Sequence, residues 1–396
     1  MASSSAWRIL GRSCGERMRS GEARMLRASK PLALLTLWVA GCVARGDPVV
    51  VGVAGPFRES RGASMRLAAR LAEQHINARG GVGGRLLRLV FVDDSGTDDG
   101  AVRAAIRLAD SNPVVAVVGH LSSSPTRAAL GVYTSRRDPV PVISPSASSP
   151  DLSGVSSWFF RVCPSDLAHG TQLARFARER LGATRAAVVF TDDDYGRGVR
   201  RTFITEFRRL GGVVVEQDPF LATHGSAAPY VARLRQRGGV DALVLATQRV
   251  EAEAFLHEMQ AAGVHWPVLG GDALVGIESD GPLAEGVRTS AVYLADRAGE
   301  QNSAFVAAYV AAYAGQRPDH RGAAAYDIVM LLADAISRVG SSRQAVRDYL
   351  ASVGRGRPAY EGVTGRIAFD SMGDVPSKPV LIAVVHGGRL VTEWQP

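Results

Sequence analysis

Three consecutive serines stand where a predicted strand gives way to a helix. Residues 114–118 are an unbroken apolar run, mostly valine, which is typical of a strand buried on both faces of a parallel sheet. Ser122, Ser123 and Ser124 come directly before Pro125 and a helical pattern. Serine hydroxyls cap free backbone N–H groups, proline fits the first turn, and such a helix terminus attracts carboxylates and other anions. The pattern predicts either a simple helix cap or a binding site for a small anion.

Polar residues follow other predicted strands in the same way. The segment 144–150, SPSASSP, ends a strand in the first half of the chain, and Tyr195, Gln248 and Asp272 follow strands in the second half. Open α/β sheets bind ligands at the carboxyl ends of their parallel strands. Two lobes whose polar strand ends face one another form a cleft that closes on a small molecule. The sequence therefore predicts a ligand site between two lobes.

Strands and helices alternate in two consecutive series, which predicts an α/β fold of two doubly wound lobes. Helices are expected at 62–79, 100–110, 126–137, 166–181, 226–237, 251–262, 303–313, 323–339 and 342–351, with a further one ending at Leu210. Strands are expected at 47–56, 86–94, 114–118, 139–144, 158–162, 185–190, 212–216, 240–246, 266–269, 365–370, 380–386 and 389–393.

The composition argues against nucleic acid as a partner. The chain of 396 residues is long enough for two domains, and 46% of its residues are hydrophobic. Its formal net charge is +8, but residues 1–41 contain seven basic and only two acidic residues. The other arginines are scattered among acidic residues with few aromatic neighbours. A nucleic-acid-binding surface instead gathers positive charge on one face, with aromatic residues that stack on bases.

A basic segment and a short apolar run open the chain. The run 31–40, PLALLTLWVA, is too short to span a bilayer and is typical of an export signal. The small residues before Cys42 resemble those of a bacterial lipoprotein signal. We therefore expect residues 1–41 to be removed, Cys42 to carry a lipid on its sulfur, and 42–47 to link this anchor to the folded chain. An ordinary secretory signal is the alternative, and Met25 is a second candidate start.

Neither the cysteines nor the known catalytic motifs point to an enzyme. With Cys14 in the leader and Cys42 acylated, Cys163 has no disulfide partner and is expected to be a small buried apolar residue. The glycines within 80–84 lie after a helix and before a strand, the reverse of the order in a phosphate-binding loop. The acidic run 192–194 is more typical of helix capping than of cation binding. No cofactor or metal is predicted, and an enzyme is only a remote alternative.

Several longer segments resemble the branched-chain amino acid receptors of ABC transporters. They are GVAGP at 52–56, HINARGGVGGR at 75–85, VVGHLSSS at 117–124, VISPSASSPDL at 142–152, FRVCPSD at 160–166, YGRG at 195–198, AFVAAYVAAY at 304–313, AYDIVMLLADAI at 325–336 and EGVTGRIAFDSMGD at 361–374. The resemblance covers residues 48–396. It implies the type I periplasmic-binding fold, in which three crossovers join two lobes. We expect these lobes at 48–165 plus 298–372 and at 166–297 plus 373–396.

The same resemblance implies a function. Such receptors bind amino acids, amides or urea between their lobes and deliver them to a membrane permease. We therefore expect a lipid-anchored receptor for an amino acid or amino-acid-like molecule, facing the periplasm or the cell exterior. Its partners would be the small ligand, an ABC transporter permease and, through Cys42, the membrane. The alternative is a sensor of the same fold that passes lobe closure to a signalling protein.

The resemblance also assigns roles to single residues of the first lobe. Ser123, next to Ser122, takes the place of the serine that holds the ligand carboxylate. Ser146 and Ser148, on either side of Ala147, take the places of a backbone carbonyl and a hydroxyl that bind the α-ammonium. A zwitterion needs such an anion site of hydroxyl and N–H donors beside acceptors for its cation.

Two of the remaining positions match the family and two depart from it. Tyr195 matches a tyrosine of the second lobe, and Asp272 replaces, one methylene shorter, the glutamate that neutralises the ammonium. Arg61 stands in place of a tyrosine, and Gln248 stands where leucine-binding members often have an aromatic residue. Both changes exchange apolar ring surface for polar groups. They predict a more polar or acidic ligand than a branched aliphatic amino acid.

Overall fold

Residues 46–111, 113–221 and 226–395 are described by the computed structural model of the chain. The predicted export signal, the candidate start Met25 and the predicted lipid-bearing Cys42 lie outside these residues. Within the described part of the chain, no helix is both long enough and apolar enough to cross a membrane.

Five parallel strands form the sheet of the first lobe, in the order β2-β1-β3-β4-β5. They are β1 (Val49–Gly55), β2 (Leu87–Asp93), β3 (Val117–Val118), β4 (Val142–Ser144) and β5 (Phe159–Arg161). β3 is shorter than predicted, although backbone hydrogen bonds of Val115 and Ala116 extend its pairing with β1. The carboxyl ends of β3 and β4 are therefore neighbours, which brings the two predicted serine segments to one edge of the sheet.

Helices from two distant parts of the chain cover this sheet. They are α1 (Ser60–Ala78), α2 (Asp98–Ser111), α3 (Ser123–Thr134), α8 (Glu300–Ala312), α9 (His320–Val339) and α10 (Arg343–Ser352). One face of the sheet shares a buried core with α1 and α9, to which Val51, Met65 and Ile328 belong. Leu108 of α2 and Leu130 of α3 belong to the core on the other face. The apolar helix faces that the 3.6-residue periodicity predicted are thus the ones that cover the sheet.

A seven-stranded sheet forms the second lobe, in the order β14-β13-β10-β9-β8-β6-β7. Its strands are β6 (Arg185–Thr191), β7 (Val213–Phe220), β8 (Ala242–Ala246), β9 (Val268–Gly270), β10 (Arg288–Ala291), β13 (Leu381–His386) and β14 (Arg389–Trp394). The helices of this lobe are α4 (Asp166–Glu179), α5 (Asp194–Arg209), α6 (Ala228–Arg237) and α7 (Arg249–Ala261). β13 and β14 are antiparallel to their neighbours, whereas β6 to β10 run parallel.

The strand β10 was not predicted from the sequence. Its Thr289 and Ser290 are polar, so no apolar run marks it, yet both residues are fully buried between β9 and β13. The predicted strand 365–370 is also different in the structure, where β11 (Tyr360–Gly362) and β12 (Gly365–Ile367) form a small antiparallel hairpin. Backbone pairing decides both elements: β10 pairs with β13, which is distant in sequence, and β12 pairs with β11 across a short turn.

The chain passes between the two lobes three times. It leaves the first lobe after β5, returns after β10 to form α8 to α10, and crosses again between β12 and β13. The exact residues at which each lobe begins and ends, as given in the sequence analysis, stay a prediction.

Candidate functional site

A narrow cavity lies between the two lobes, at the carboxyl ends of β3, β4, β8 and β9. It is lined by Arg61, Leu121, Ser122, Ser123, Ser146, Tyr195, Gln248, Asp272, Ala273 and Arg321. Seven of the nine residues predicted to contact a ligand are in this lining. Ala147 and Ser148 are not, because both are fully buried behind Ser146 in the loop after β4.

The serine loop after β3 presents its hydroxyl groups to the cavity rather than to its own helix. Ser122 is the residue before α3, and within the described structure its side chain makes no capping hydrogen bond to that helix. Its Oγ instead accepts a hydrogen bond from Arg61 Nη1 at 3.0 Å. The Ser123 side chain is buried, and its Oγ accepts from Ser149 N at 3.1 Å, which leaves the hydroxyl hydrogen for another acceptor. Of the two predictions for these serines, simple capping is therefore not what the geometry shows.

The strand end that carries this loop is held by a buried histidine. His120 Nδ1 lies 2.6 Å from Asp94 Oδ2, and its Nε2 lies 3.2 Å from the hydroxyl of Tyr133. His120 O accepts a hydrogen bond from Ser144 Oγ at 2.7 Å, which ties the ends of β3 and β4 together. The two serine loops consequently share one rigid support.

Arg161 holds the loop after β4, which carries Ser146 and Ser148, by hydrogen bonds to the backbone of that loop. This fully buried arginine donates from Nη1 to the carbonyl oxygens of Ala147, at 3.2 Å, and Ser149, at 2.8 Å. Its Nε and Nη2 donate to the two carboxylate oxygens of Asp374 at 2.6 and 3.0 Å. Ser148 Oγ is buried in this loop without a hydrogen-bond partner among the described residues.

The second lobe contributes a phenol and a carboxylate. Tyr195 lies in the first turn of α5, and its hydroxyl accepts a hydrogen bond from Ala273 N at 3.2 Å. Asp272 follows β9, is almost fully buried, and has its Oδ2 3.6 Å from His320 Nε2. Burial, followed by the charge of Asp272, raises the pKa of Tyr195 well above its ordinary value, so the phenol stays neutral. A neutral phenol beside a carboxylate suits an ammonium group.

Arg61 and Gln248 meet across the cavity. Arg61 Nη1 donates both to Ser122 Oγ of its own lobe and, at 3.1 Å, to Gln248 Oε1 of the other lobe. Arg61 Nε donates to Glu59 Oε2 at 2.5 Å, outside the cavity lining. The two residues at which the sequence departs from the family pattern therefore contact each other and belong to one end of the site.

The comparisons with known proteins agree with this geometry. The family described as periplasmic binding protein matches residues 48–389. The chain belongs to this family. The predicted resemblance and the α/β fold of two doubly wound lobes are confirmed.

Relatives of this periplasmic binding protein bind amino acids according to their names. The leucine-, isoleucine-, valine-, threonine-, and alanine-binding protein of Pseudomonas aeruginosa is 26% identical over 394 residues, 95% of this chain and 100% of the relative. An amino acid binding protein of the same organism is 29% identical over 232 residues, 57% of this chain and 61% of its own length. An ABC transporter substrate-binding protein of Desulfitobacterium hafniense, solved in complex with Leu, is 28% identical with a TM-score of 0.75, covering 88% of this chain and 100% of its own.

Sequence reasoning missed one charged residue of the site. Arg321, in the first turn of α9, reaches from the first lobe to the second and donates to the backbone oxygens of Asp272, Ala273 and Val275 at 3.2 to 3.4 Å. It also pairs with Asp319 Oδ2 at 3.1 Å. The predicted helix began at residue 323, and nothing in the local pattern distinguishes Arg321 from an exposed arginine.

The binding protein has its lobes close together in this structure. The volume open to the centre of a water molecule in the cavity is about 20 Å³, room for about one water. Asp194, at the start of α5, accepts from Arg127 Nε at 2.6 Å and donates its backbone N–H to Ser124 Oγ at 3.0 Å. A ligand of amino acid size needs the Arg61 side chain to move or the lobes to separate.

Buried ionisable groups surround the floor of the site. Burial, followed by the charge of Asp272, raises the pKa of Asp166 well above its ordinary value. Burial is also the largest cause that lowers the pKa of His169, and it lowers that of His320 to about 4. His320 Nδ1, His169 Nε2 and one oxygen of Asp272 have no hydrogen-bond partner within the described part of the chain. Of these residues, Asp272 belongs to the cavity lining, so its carboxylate is the acceptor offered to a bound ammonium.

Proposed function

We propose that this chain is the solute receptor of an ABC transporter and binds an amino acid or amino-acid-like molecule between its lobes. The observation that carries the proposal is that seven residues predicted to bind a ligand, from Arg61 to Asp272 in the sequence, line one cavity between the lobes. The names of the relatives, and the leucine complex of the Desulfitobacterium hafniense protein, support an amino acid as the class of ligand.

The two ends of a zwitterion have different partners in this proposal. The N-terminus of α3 with the hydroxyls of Ser122 and Ser123 offers donors to the α-carboxylate. Asp272, with the neutral phenol of Tyr195 and the oxygen of Ser146, offers acceptors to the α-ammonium. Burial makes each of these contacts stronger than it would be in water.

Closure of the two lobes is what makes a ligand-bound receptor recognisable to its partner. A ligand that contacts both lobes favours the closed arrangement by its difference in affinity for the closed and open states. The membrane permease then recognises the closed receptor. Contacts such as Arg127 to Asp194 join the lobes without a ligand, so they set how much of the closed state exists beforehand.

We further propose that the chain is exported and held at the membrane by a lipid on Cys42. The support is the basic and apolar leader that ends in small residues before this cysteine. Metabolic labelling with a radioactive fatty acid should mark the wild-type protein and not the Cys42→Ala variant. The variant should move from the membrane fraction to the soluble fraction, whereas equal labelling of both proteins would contradict lipid attachment.

A thermal-shift panel tests the receptor function. Amino acids, their amides, urea and small carboxylates are added in turn to the purified protein. A ligand at about one hundred times its dissociation constant adds about 2.7 kcal/mol to the free energy of unfolding. At least one amino-acid-like compound should therefore raise the melting temperature by several degrees, and the absence of any shift across the panel would refute the proposal.

A further inference from the structure

The cavity has two chemically different ends. Arg61 and Gln248 are joined by a hydrogen bond at one end, which we call the Arg61 end. Asp272 and Arg321 lie at the other end, where Asp272 offers the carboxylate for an ammonium. Purely aliphatic side chains in the described lining are limited to one leucine and one alanine. An aliphatic ligand side chain at the Arg61 end would strip water from a guanidinium and give it no new partner, which is unfavourable.

The guanidinium of Arg61 has donors left for a ligand. Its Nε is engaged by Glu59 Oε2, and its Nη1 is shared between Ser122 Oγ and Gln248 Oε1. Its Nη2 has no hydrogen-bond partner among the described residues, but it lies against Gly96, where a Cβ would be 2.5 Å away. Because Glu59 binds the Nε side, a ligand carboxylate would bind Nη2 and would replace Ser122 Oγ or Gln248 Oε1 as an acceptor of Nη1. Two parallel N–H donors of this kind match a carboxylate in a bidentate arrangement.

The charges of the site favour an anion at this end. At the other end, Asp319 and three backbone oxygens already satisfy Arg321, and Asp272 is left to balance a ligand ammonium. Within the described residues, the charge of Arg61 has one ion-pair partner, Glu59, whose side chain is 43% exposed and therefore partly screened by water. Among the described residues, the positive charge of the Arg61 end is thus paired with one solvent-exposed carboxylate outside the cavity lining.

We propose that the ligand is an acidic amino acid whose second carboxylate binds Arg61, with the Gln248 amide as an additional donor. This inference rests on the proposed function and names the class of ligand for the same cavity. Gln248 at present accepts from Arg61 through Oε1, so its NH₂ group is available to donate to a carboxylate. A carboxylate at this position would link Arg61 and Gln248, and through them the two lobes.

Isothermal titration calorimetry with matched amino acids tests the proposal. The probes are L-glutamate and L-aspartate, their amides L-glutamine and L-asparagine, and L-leucine. At least one acidic amino acid should bind ten times or more tightly than its own amide and than leucine. Since acid and amide have nearly the same shape, this ratio reports the recognition of the charge.

Two arginine variants make the test specific. Arg61→Gln should weaken binding of the acidic amino acid at least tenfold and change binding of the amide less than threefold. Arg58→Gln is the matched control, because Arg58 lies three residues before Arg61 in the loop that precedes α1, pairs with Asp93 at 3.0 Å and has an 88% exposed side chain outside the cavity. This control should bind both ligands as the wild type does.

Other outcomes overturn the inference in distinguishable ways. If leucine or an amide binds more tightly than the acid, or if Arg61→Gln leaves the ratio of acid to amide unchanged, the acidic ligand is wrong while the amino acid receptor stands. If no amino acid of any class binds, both the inference and the proposed function fail. A ratio lost equally in Arg61→Gln and Arg58→Gln would show general electrostatic attraction and would overturn the role of Arg61.

Discussion

Asp194 at the start of α5 accepts a hydrogen bond from Arg127 of α3 at 2.6 Å, and this pair joins the two lobes beside the cavity. The carboxylate is almost fully buried, whereas the arginine side chain is 54% exposed. The same aspartate donates its backbone N–H to Ser124 Oγ. Ser124 thus takes part in the contact between the lobes, whereas Ser122 and Ser123 line the cavity.

The Arg127→Ala variant is expected to favour the open arrangement and to weaken ligand binding. Half-exposed ion pairs contribute about 0.2 to 1 kcal/mol, so the loss should be about 1.4- to fivefold in affinity. Calorimetry at low and high salt measures it, and the difference from wild type should shrink at high salt because screening weakens the pair. Arg209→Ala is the matched control, since its pair with Glu206 has a similarly exposed arginine but lies within α5 of one lobe. An equal loss in both variants would contradict a special role for Arg127.

Removing Asp272 should weaken binding at the ammonium end. Asp272→Asn keeps the shape of the side chain but removes its charge, so the affinity of an amino acid ligand should fall at least tenfold, about 1.4 kcal/mol or more. Ser123→Ala should also weaken binding, because it removes a hydroxyl donor from the carboxylate end. The exposed Asp192→Asn is a control with the same chemical change in the same lobe. Unchanged affinity in both Asp272→Asn and Ser123→Ala would show that the site is wrongly assigned.

Arg161→Met should strongly destabilise the fold. The substitution leaves Asp374 buried without its partner and releases the loop that carries Ser146. Breaking one side of a buried ion pair costs about 3 to 5 kcal/mol, to be measured as the free energy of unfolding in urea. Arg136→Met, which breaks the partly exposed pair with Asp110, should cost less than about 1 kcal/mol. Similar values for the two variants would exclude the buried network as a major source of stability.

The stability of the protein should fall between pH 6.5 and pH 4 in part because of His320. Burial is the main cause that lowers its pKa to about 4, from an ordinary value of 6.5. The unfolded chain therefore binds more protons in this range, and the stabilisation present above pH 6.5 is lost as the pH falls through about 4. The contribution is on the order of 3 kcal/mol. His169 acts in the same direction, whereas Asp166, whose pKa is raised, acts in the opposite one.

The variant His320→Gln isolates this contribution. Its free energy of unfolding, measured in urea at several pH values, should depend less on pH between 6.5 and 4 than that of the wild type. Asp166 and His169 are present in both proteins and cancel in the comparison. His386→Gln is the control, because His386 is 79% exposed. The prediction fails if the two variants show the same pH dependence as the wild type.

Local sequence patterns determined the fold class and most of the site. Alternating apolar runs and helical faces depend on periods of two and 3.6 residues, which neighbouring residues alone can express. Polar residues directly after strands, such as Ser123, Tyr195 and Asp272, then mark the carboxyl edges of the sheets. Because parallel strands bring these edges together, the residues predicted in this way line one cavity.

Only the tertiary structure decided which side chains meet across the lobes. Arg61 and Gln248 are 187 positions apart and were predicted separately, but their contact depends on how two independently formed sheets pack. Arg321 entered the site because α9 begins three residues before its apolar pattern and points its first turn at β9. Ser148 was predicted as a ligand residue, yet it lies behind the lining. Such distances are set by packing between elements far apart in the chain, which no local period encodes.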